Sequence, residues 1–194
     1  MRLFASVLTF LTVFCLLLSL SACAPAAPRN DFAYAEEAFS ATVRGSFLPP
    51  DDPAGTPRPV AATVTVDAPD PEVGTRDMTV IFTAPASLAG VTVTAVHRGE
   101  TRAVTFTYPT PYGTVTSTSE TGDYDGFLRF AEALLPIGDV AEVSAVDENG
   151  VRTVTRRAAD GTGEAVYVFS REQALPLRVT VTDGNGVTEL MVGG

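Results

Sequence analysis

His97 is the only histidine in the chain, and no residues that could work with it form an enzyme's pattern. As a base for a serine nucleophile it would need an orienting acid and a sharply turned serine of the Gly-x-Ser-x-Gly type. No such pentapeptide occurs. Zinc would have to be bound largely by carboxylates, an unusual ligand set for that ion. Asp123-Tyr124-Asp125-Gly126 and, more faintly, Asp183-Gly184-Asn185-Gly186 open like calcium loops. A loop of that kind closes with a bidentate glutamate at its twelfth position, where Leu134 stands after Asp123. Helix capping and hairpin turns explain both segments with less machinery. The paired carboxylates of Glu36-Glu37 point to different sides of a helix and form a solvated face. The residues therefore predict no catalytic group, no metal and no cofactor.

The remaining reactive group is Cys23. It closes Leu20-Ser21-Ala22-Cys23, directly after an apolar run from Leu3 to Leu18 that is headed by Arg2. A charged start, an apolar segment and small residues before a cleavage point have the anatomy of a secretory signal. The run is shorter than the roughly 20 residues that span a bilayer. With its cysteine, the segment resembles the lipobox of bacterial lipoproteins. That resemblance implies a signal peptide over residues 1–22, a diacylglycerol on the Cys23 thiol and an acylated new amino terminus. Each buried methylene contributes about 0.8 kcal/mol and one chain holds a protein only marginally, so two or three chains fix it to the bilayer. The expected location is the extracytoplasmic face of the cell membrane, lipid-anchored, on the periplasmic side where an outer membrane exists. Residues 23–30, rich in proline and alanine, read as a tether.

Residues 31–194 suffice for one domain with a sizeable core and leave no room for a second. Cys15 lies in the apolar run and leaves with it, so no internal disulfide is expected. The chain has a formal charge of −10, and loss of Arg2 makes the mature form one unit more negative. Phosphate binding needs clustered positive charge, so nucleic acid is not an expected partner. The chain contains no lysine, which removes lysine-dependent mechanisms.

These residues are positioned mostly by strands. In Ala61 to Ala68, Ala62, Val64 and Val66 share one face and Thr63, Thr65 and Asp67 the other. The same alternation recurs over Met78–Phe82, Val91–Ala95 and Val104–Thr107. Asn149-Gly150 accepts positive φ at both positions and predicts a hairpin between Val140–Val146 and Val151–Arg157. Turns at Asp160-Gly161 and Asp183–Gly186 flank Glu164–Phe169, Leu177–Thr182 and Val187–Val192. Roughly ten strands result. Asp31 to Phe39 predicts a short N-terminal helix. Asp123 to Leu135, with Phe127, Phe130, Ala131 and Leu134 at helical spacing and Pro136 as the stop, predicts a second. The fold class is mainly β (α+β), and Leu48–Pro59 and Asp67–Thr75 are long loops.

This order runs from a lipobox through a short helix entering a strand (EEAFSATVRGSF), a meander and a mid-chain helix to a final hairpin reached through Ala174-Leu175-Pro176-Leu177. It resembles the LolA/LolB-like lipoproteins. The resemblance is strongest to anchored relatives in clostridia-like bacteria, over MTVIFTAPASLAGVTV and LPLRVTVTDGNGVTEL. It implies an antiparallel sheet curled into an incomplete barrel with helices over its concave face. Such a face can hold acyl chains, a lipidated protein or another apolar ligand. Phe82, Phe106, Phe127, Leu134, Tyr167 and Phe169 are the candidates for its lining. The same residues suit an ordinary filled core, since period-two aromatic and β-branched side chains serve any buried sheet face. Two functions follow: a non-enzymatic, membrane-tethered protein that binds a lipid or lipoprotein, or an interaction or sensor module contacting a membrane protein. An envelope hydrolase has the least support.

Overall fold

Apolar residues alternating with threonine and other polar residues mark most of the eleven strands: β1 (Phe39–Leu48), β2 (Arg58–Val66), β3 (Met78–Ala84), β4 (Thr92–Arg98), β5 (Thr101–Thr110), β6 (Gly113–Ser119), β7 (Val140–Glu148), β8 (Val151–Ala158), β9 (Glu164–Ser170), β10 (Arg178–Asp183) and β11 (Gly186–Gly193). The computed structural model describes residues 30–48, 55–98, 101–122 and 124–193. The chain divides into two units, residues 1–30 and 31–194, and the second carries the fold. The signal segment, Cys23 and all of the tether except Asn30 lie outside the described residues, as do Asp123 and the middle of the Leu48–Pro59 loop.

All eleven strands join one antiparallel sheet in the order β6-β5-β4-β3-β2-β1-β11-β10-β9-β8-β7. The chain starts at the centre with β1 and meanders to one edge at β6. Helix α1 (Asp125–Glu132) then leads to the opposite edge, and the chain returns inward until β11 pairs with β1. The sheet does not close, since β6 and β7 each pair with a single neighbour. Alternate residues of the central strands form the core, among them Val43, Val64, Val80, Phe82, Val93, Tyr167, Phe169, Val179 and Leu190. Helix α1 packs over β2, β3 and β4.

The N-terminal helix shrinks to a 3-10 turn, Ala33–Glu36. Phe39 instead starts β1, opposite Val66, and so short a helix nucleates at a loss when a strand competes for its end. The turn still buries Tyr34 and Ala35. Helix α1 is also shorter than its sequence pattern, with Tyr124 at its N-cap and no side-chain cap bond. Beyond Glu132 the chain continues in turns: the Leu134 N–H donates to the Ala131 carbonyl (3.1 Å) and that of Leu135 to Glu132 (3.0 Å). At the β7–β8 hairpin, Asn149 (φ 51°) and Gly150 (φ 80°) both take the left-handed conformation that their sequence predicts. Strand β6, which brings the roughly ten expected strands to eleven, carries no apolar alternation because both of its faces are exposed along nearly its whole length.

Two aromatic clusters fill the inner face. Under α1, Phe82 meets Phe127 (5.9 Å) and Phe130 (5.7 Å), while Phe106 meets Phe127 (5.2 Å) and stacks on Tyr124 (5.3 Å). Under the 3-10 turn, Phe32 meets Tyr167 (4.9 Å) and Phe169 (5.6 Å) edge-on, and Tyr34 meets Phe39 (5.3 Å). At the join of the two half-sheets, β1 and β11 approach closely at Gly45. A Cβ there would lie 1.8 Å from the Glu189 carbonyl oxygen, so only glycine fits.

A candidate ligand cleft beside helix α1

Helix α1 is tied to the sheet from both sides, and a cavity lies beside it. Asp125, Arg129 and Glu132 follow i, i+4, i+7 spacing and so share one helix face. Arg102 of β5 donates to Glu132 (2.8 Å) and lies 3.8 Å from Asp125. In the other direction Arg129 crosses to the β10–β11 hairpin. Its Nη2 donates to Asp183 Oδ1 (2.9 Å) and to the Gly186 carbonyl (3.0 Å), its Nε donates to Thr188 Oγ1, and its guanidinium sits 4.9 Å from the centre of the Phe47 ring. Arg129 is buried, and these acceptors and the ring face replace the water it gives up.

The helix ends against two tyrosines. The Tyr34 hydroxyl donates to the Leu134 carbonyl and that of Tyr167 to the Leu135 carbonyl (2.7 Å). Both satisfy carbonyls of the turns that follow the helix. Burial, the leading cause in each case, pushes both phenols up: Tyr167 to about 12, and Tyr34 further, with the neighbouring Tyr167 as a second cause.

Between these ties lies a cleft of about 690 Å³, within the range of small-molecule sites. Its apolar lining includes Phe47, Leu135, Ile137, Tyr167 and Val181, and its polar lining includes Arg102, Arg129, Glu132 and Asp183. The lining is therefore amphipathic. None of it comes from the Asp67–Asp77, Glu148–Val151 or Ser170–Arg178 connections. Those turns lie at the end of the sheet where the chain joins β1, and there Arg152 donates to Asp31 (2.7 Å).

Among the six residues that the sequence singles out, Tyr167 lines this cleft. Phe82, Leu134 and Phe169 are fully buried, while Phe106 and Phe127 pack against the core under α1. His97 lies 3.6 Å from Asp77, whose carboxylate also accepts the His97 backbone N–H (2.8 Å). Asp183 is occupied by Arg129 and by the Asn185 backbone N–H (2.7 Å). No group of three or more metal-ligating side chains occurs among the described residues. Sequence reasoning misses Arg129, whose signal is a lone arginine within the apolar stretch Phe127–Ala131. It also misses Phe47, Ile137 and Val181, which come from three distant segments and meet only in the folded sheet.

No family model matches the chain, and no curated protein is similar to it. Solved structures are similar over most of its length. A DUF1329 family protein from Desulfovibrio piger is 11% identical, with a TM-score of 0.45, covering 85% of this chain and 87% of its own. A LolA superfamily protein from Nitrosomonas europaea is 12% identical, with a TM-score of 0.44, covering 84% of this chain and 87% of its own. A putative outer membrane lipoprotein-sorting protein domain from Vibrio parahaemolyticus is 11% identical, with a TM-score of 0.38, covering 81% and 84%.

Proposed function

We propose that this chain is a lipoprotein of the bacterial envelope, held to a membrane through Cys23, that binds an amphipathic ligand without chemical conversion. The ligand class is a lipid or a lipidated protein. The observation that carries this reading is the cleft itself, an amphipathic hollow of about 690 Å³ beside a helix tied down at both sides. An acyl chain suits the wall of Phe47, Ile137, Tyr167 and Val181, and a polar head suits the row of Arg102, Glu132 and Arg129. The charges of that row are already paired in this arrangement. A head group therefore competes with existing ion pairs, and apolar contact supplies most of the affinity. The lipobox-like segment and the order of elements add support from the sequence.

An environment-sensitive apolar dye tests the cleft. Val181 sits on its wall, and Val181→Trp fills part of the hollow from the sheet side. The full chain in mild detergent is expected to brighten the dye and to lose that signal on addition of a phospholipid, while Val181→Trp brightens it several-fold less. Equal brightening by both proteins would move the ligand elsewhere. The anchor is tested separately by Cys23→Ala, which is expected to shift the protein from the detergent phase to the aqueous phase in cell extracts. Unchanged partitioning would remove the lipid tail from the account.

A further inference from the structure

The two edges of the sheet are protected very differently. Edge strands offer unpaired backbone groups, and proteins blunt them with charge, bulges or proline. Strand β7 has such devices: Glu142, Asp147 and Glu148, a register irregularity between Val140 and Glu142, and ion pairs from Arg157 to Glu142 (3.0 Å) and Arg152 to Asp147 (2.6 Å). These acids border its exposed Val143 and Val146. Strand β6, Gly113-Thr-Val-Thr-Ser-Thr-Ser119, has neither charge nor proline, and its pairing with β5 is regular throughout. In a chain with a net charge of −10, no charged residue occurs between Ala103 and Ser119.

We infer that β6 is an assembly edge, where it pairs antiparallel with β6 of a second copy of this chain, centred on Thr116. Three observations select a second copy as the occupant. The first is charge. Two copies of so acidic a protein repel, and the uncharged run Ala103–Ser119, which holds all of β6, is where they approach at least electrostatic cost. The second is self-complementarity. A two-fold axis at Thr116 places Thr114 opposite Thr118 and Thr116 opposite itself. The outer face already uses this pairing across five junctions, at Thr42–Thr63, Thr65–Thr79, Thr79–Thr94, Thr94–Thr105, Thr92–Thr107, Thr105–Thr118 and Thr107–Thr116. Hydroxyl contacts accompany several of these pairs, as at Thr105–Thr118 (3.0 Å) and Thr79–Thr94 (3.4 Å). The third is the inner row of β6, Gly113, Val115, Ser117 and Ser119, in which one exposed valine stands among glycine and serines. A foreign extended peptide gains specificity from pockets beside the edge, and this row has no large side chain to frame one. Under the proposed Cys23 anchor, copies on one membrane also meet at raised effective concentration, which favours the same contact.

The test uses opposite charges at the axis. Thr116 is exposed, and Thr116→Lys or Thr116→Glu puts two like charges directly opposite each other in the pair, which destabilises it. In sedimentation velocity of the full chain in mild detergent, the unaltered protein is expected to populate a dimer across the micromolar range. Each variant alone is expected to dimerise about tenfold more weakly, and an equimolar mixture of the two to recover dimer as a Lys–Glu pair. Circular dichroism identifies a variant that fails to fold, in which case the other still reports. A monomeric unaltered protein would overturn the inference, and so would a folded variant that dimerises like the unaltered protein, or a mixture no better than its components.

Discussion

Arg129→Ala is expected to lower the unfolding midpoint by about 10 °C. The substitution removes donors to Asp183, Gly186 and Thr188 and the cation over Phe47. A buried hydroxyl then loses its donor, and the Asp183 carboxylate keeps the Asn185 backbone N–H but loses its balancing cation. Breaking a buried ion pair costs roughly 3–5 kcal/mol. Asp183 keeps partial access to solvent, with 32% of its side chain exposed, so the low end of that range, about 3 kcal/mol, applies. In a domain of this size each kcal/mol shifts the midpoint by about 2–4 °C. Arg129→Lys keeps the charge but lacks the planar fork that reaches several acceptors at once, and is expected to recover less than half of the loss. Arg129→Met with Asp183→Asn leaves no unpaired charge and is expected to recover more. Thermal unfolding of the four proteins ranks these effects, and adding Arg129→Met and Asp183→Asn alone completes the cycle that gives the coupling. Equal midpoints for Arg129→Ala and the unaltered protein would show that the arginine does not hold the helix to the hairpin.

The second large effect is a loss of stability in alkali. Burial holds Tyr167 protonated to about 12 and Tyr34 beyond that, against 10 in an unfolded chain. The folded state therefore binds these protons more tightly than the unfolded state does. Their contribution is complete below pH 10 and is lost as pH rises through the folded-state values. Between pH 10 and 12 each tyrosine is expected to remove about 1.4 kcal/mol per pH unit. The double variant Tyr34→Phe/Tyr167→Phe removes both titrations. It should be less stable at neutral pH, because the Leu134 and Leu135 carbonyls each lose a donor at a cost of about 1–3 kcal/mol. Its stability should also be much flatter above pH 10. Urea unfolding at pH 8 and pH 11 measures both, and parallel alkaline losses in the two proteins would place the sensitive groups elsewhere.

What the sequence discloses follows from how local its signals are. The inner face is legible because Val64, Val80, Val93 and Phe82 recur at period two, and the β7–β8 hairpin because Asn149 and Gly150 both accept positive φ. The N-terminal helix fails as an expectation because Phe39 gains more by pairing with Val66 than by ending a helix. Strand β6 is invisible because an edge strand exposed on both sides needs no apolar alternation. The cleft is the least legible feature. Phe47, Ile137 and Val181 converge only because β11 returns to pair with β1, a long-range contact that no local pattern encodes. Arg129 has no visible role until the β10–β11 hairpin is placed beside it. The six residues picked out by aromatic and apolar spacing mostly mark where the inner face is filled, and Tyr167 alone among them reaches the hollow that remains.

The central claim is that this hollow holds an amphipathic ligand in the cell. Native mass spectrometry of the protein taken from membranes in mild detergent tests it most directly, with the unaltered chain and Val181→Trp compared side by side. The account predicts one tightly held lipid or lipopeptide per unaltered chain, and its depletion in the variant. A bare protein in both preparations, or the same adduct retained in full by Val181→Trp, would contradict it.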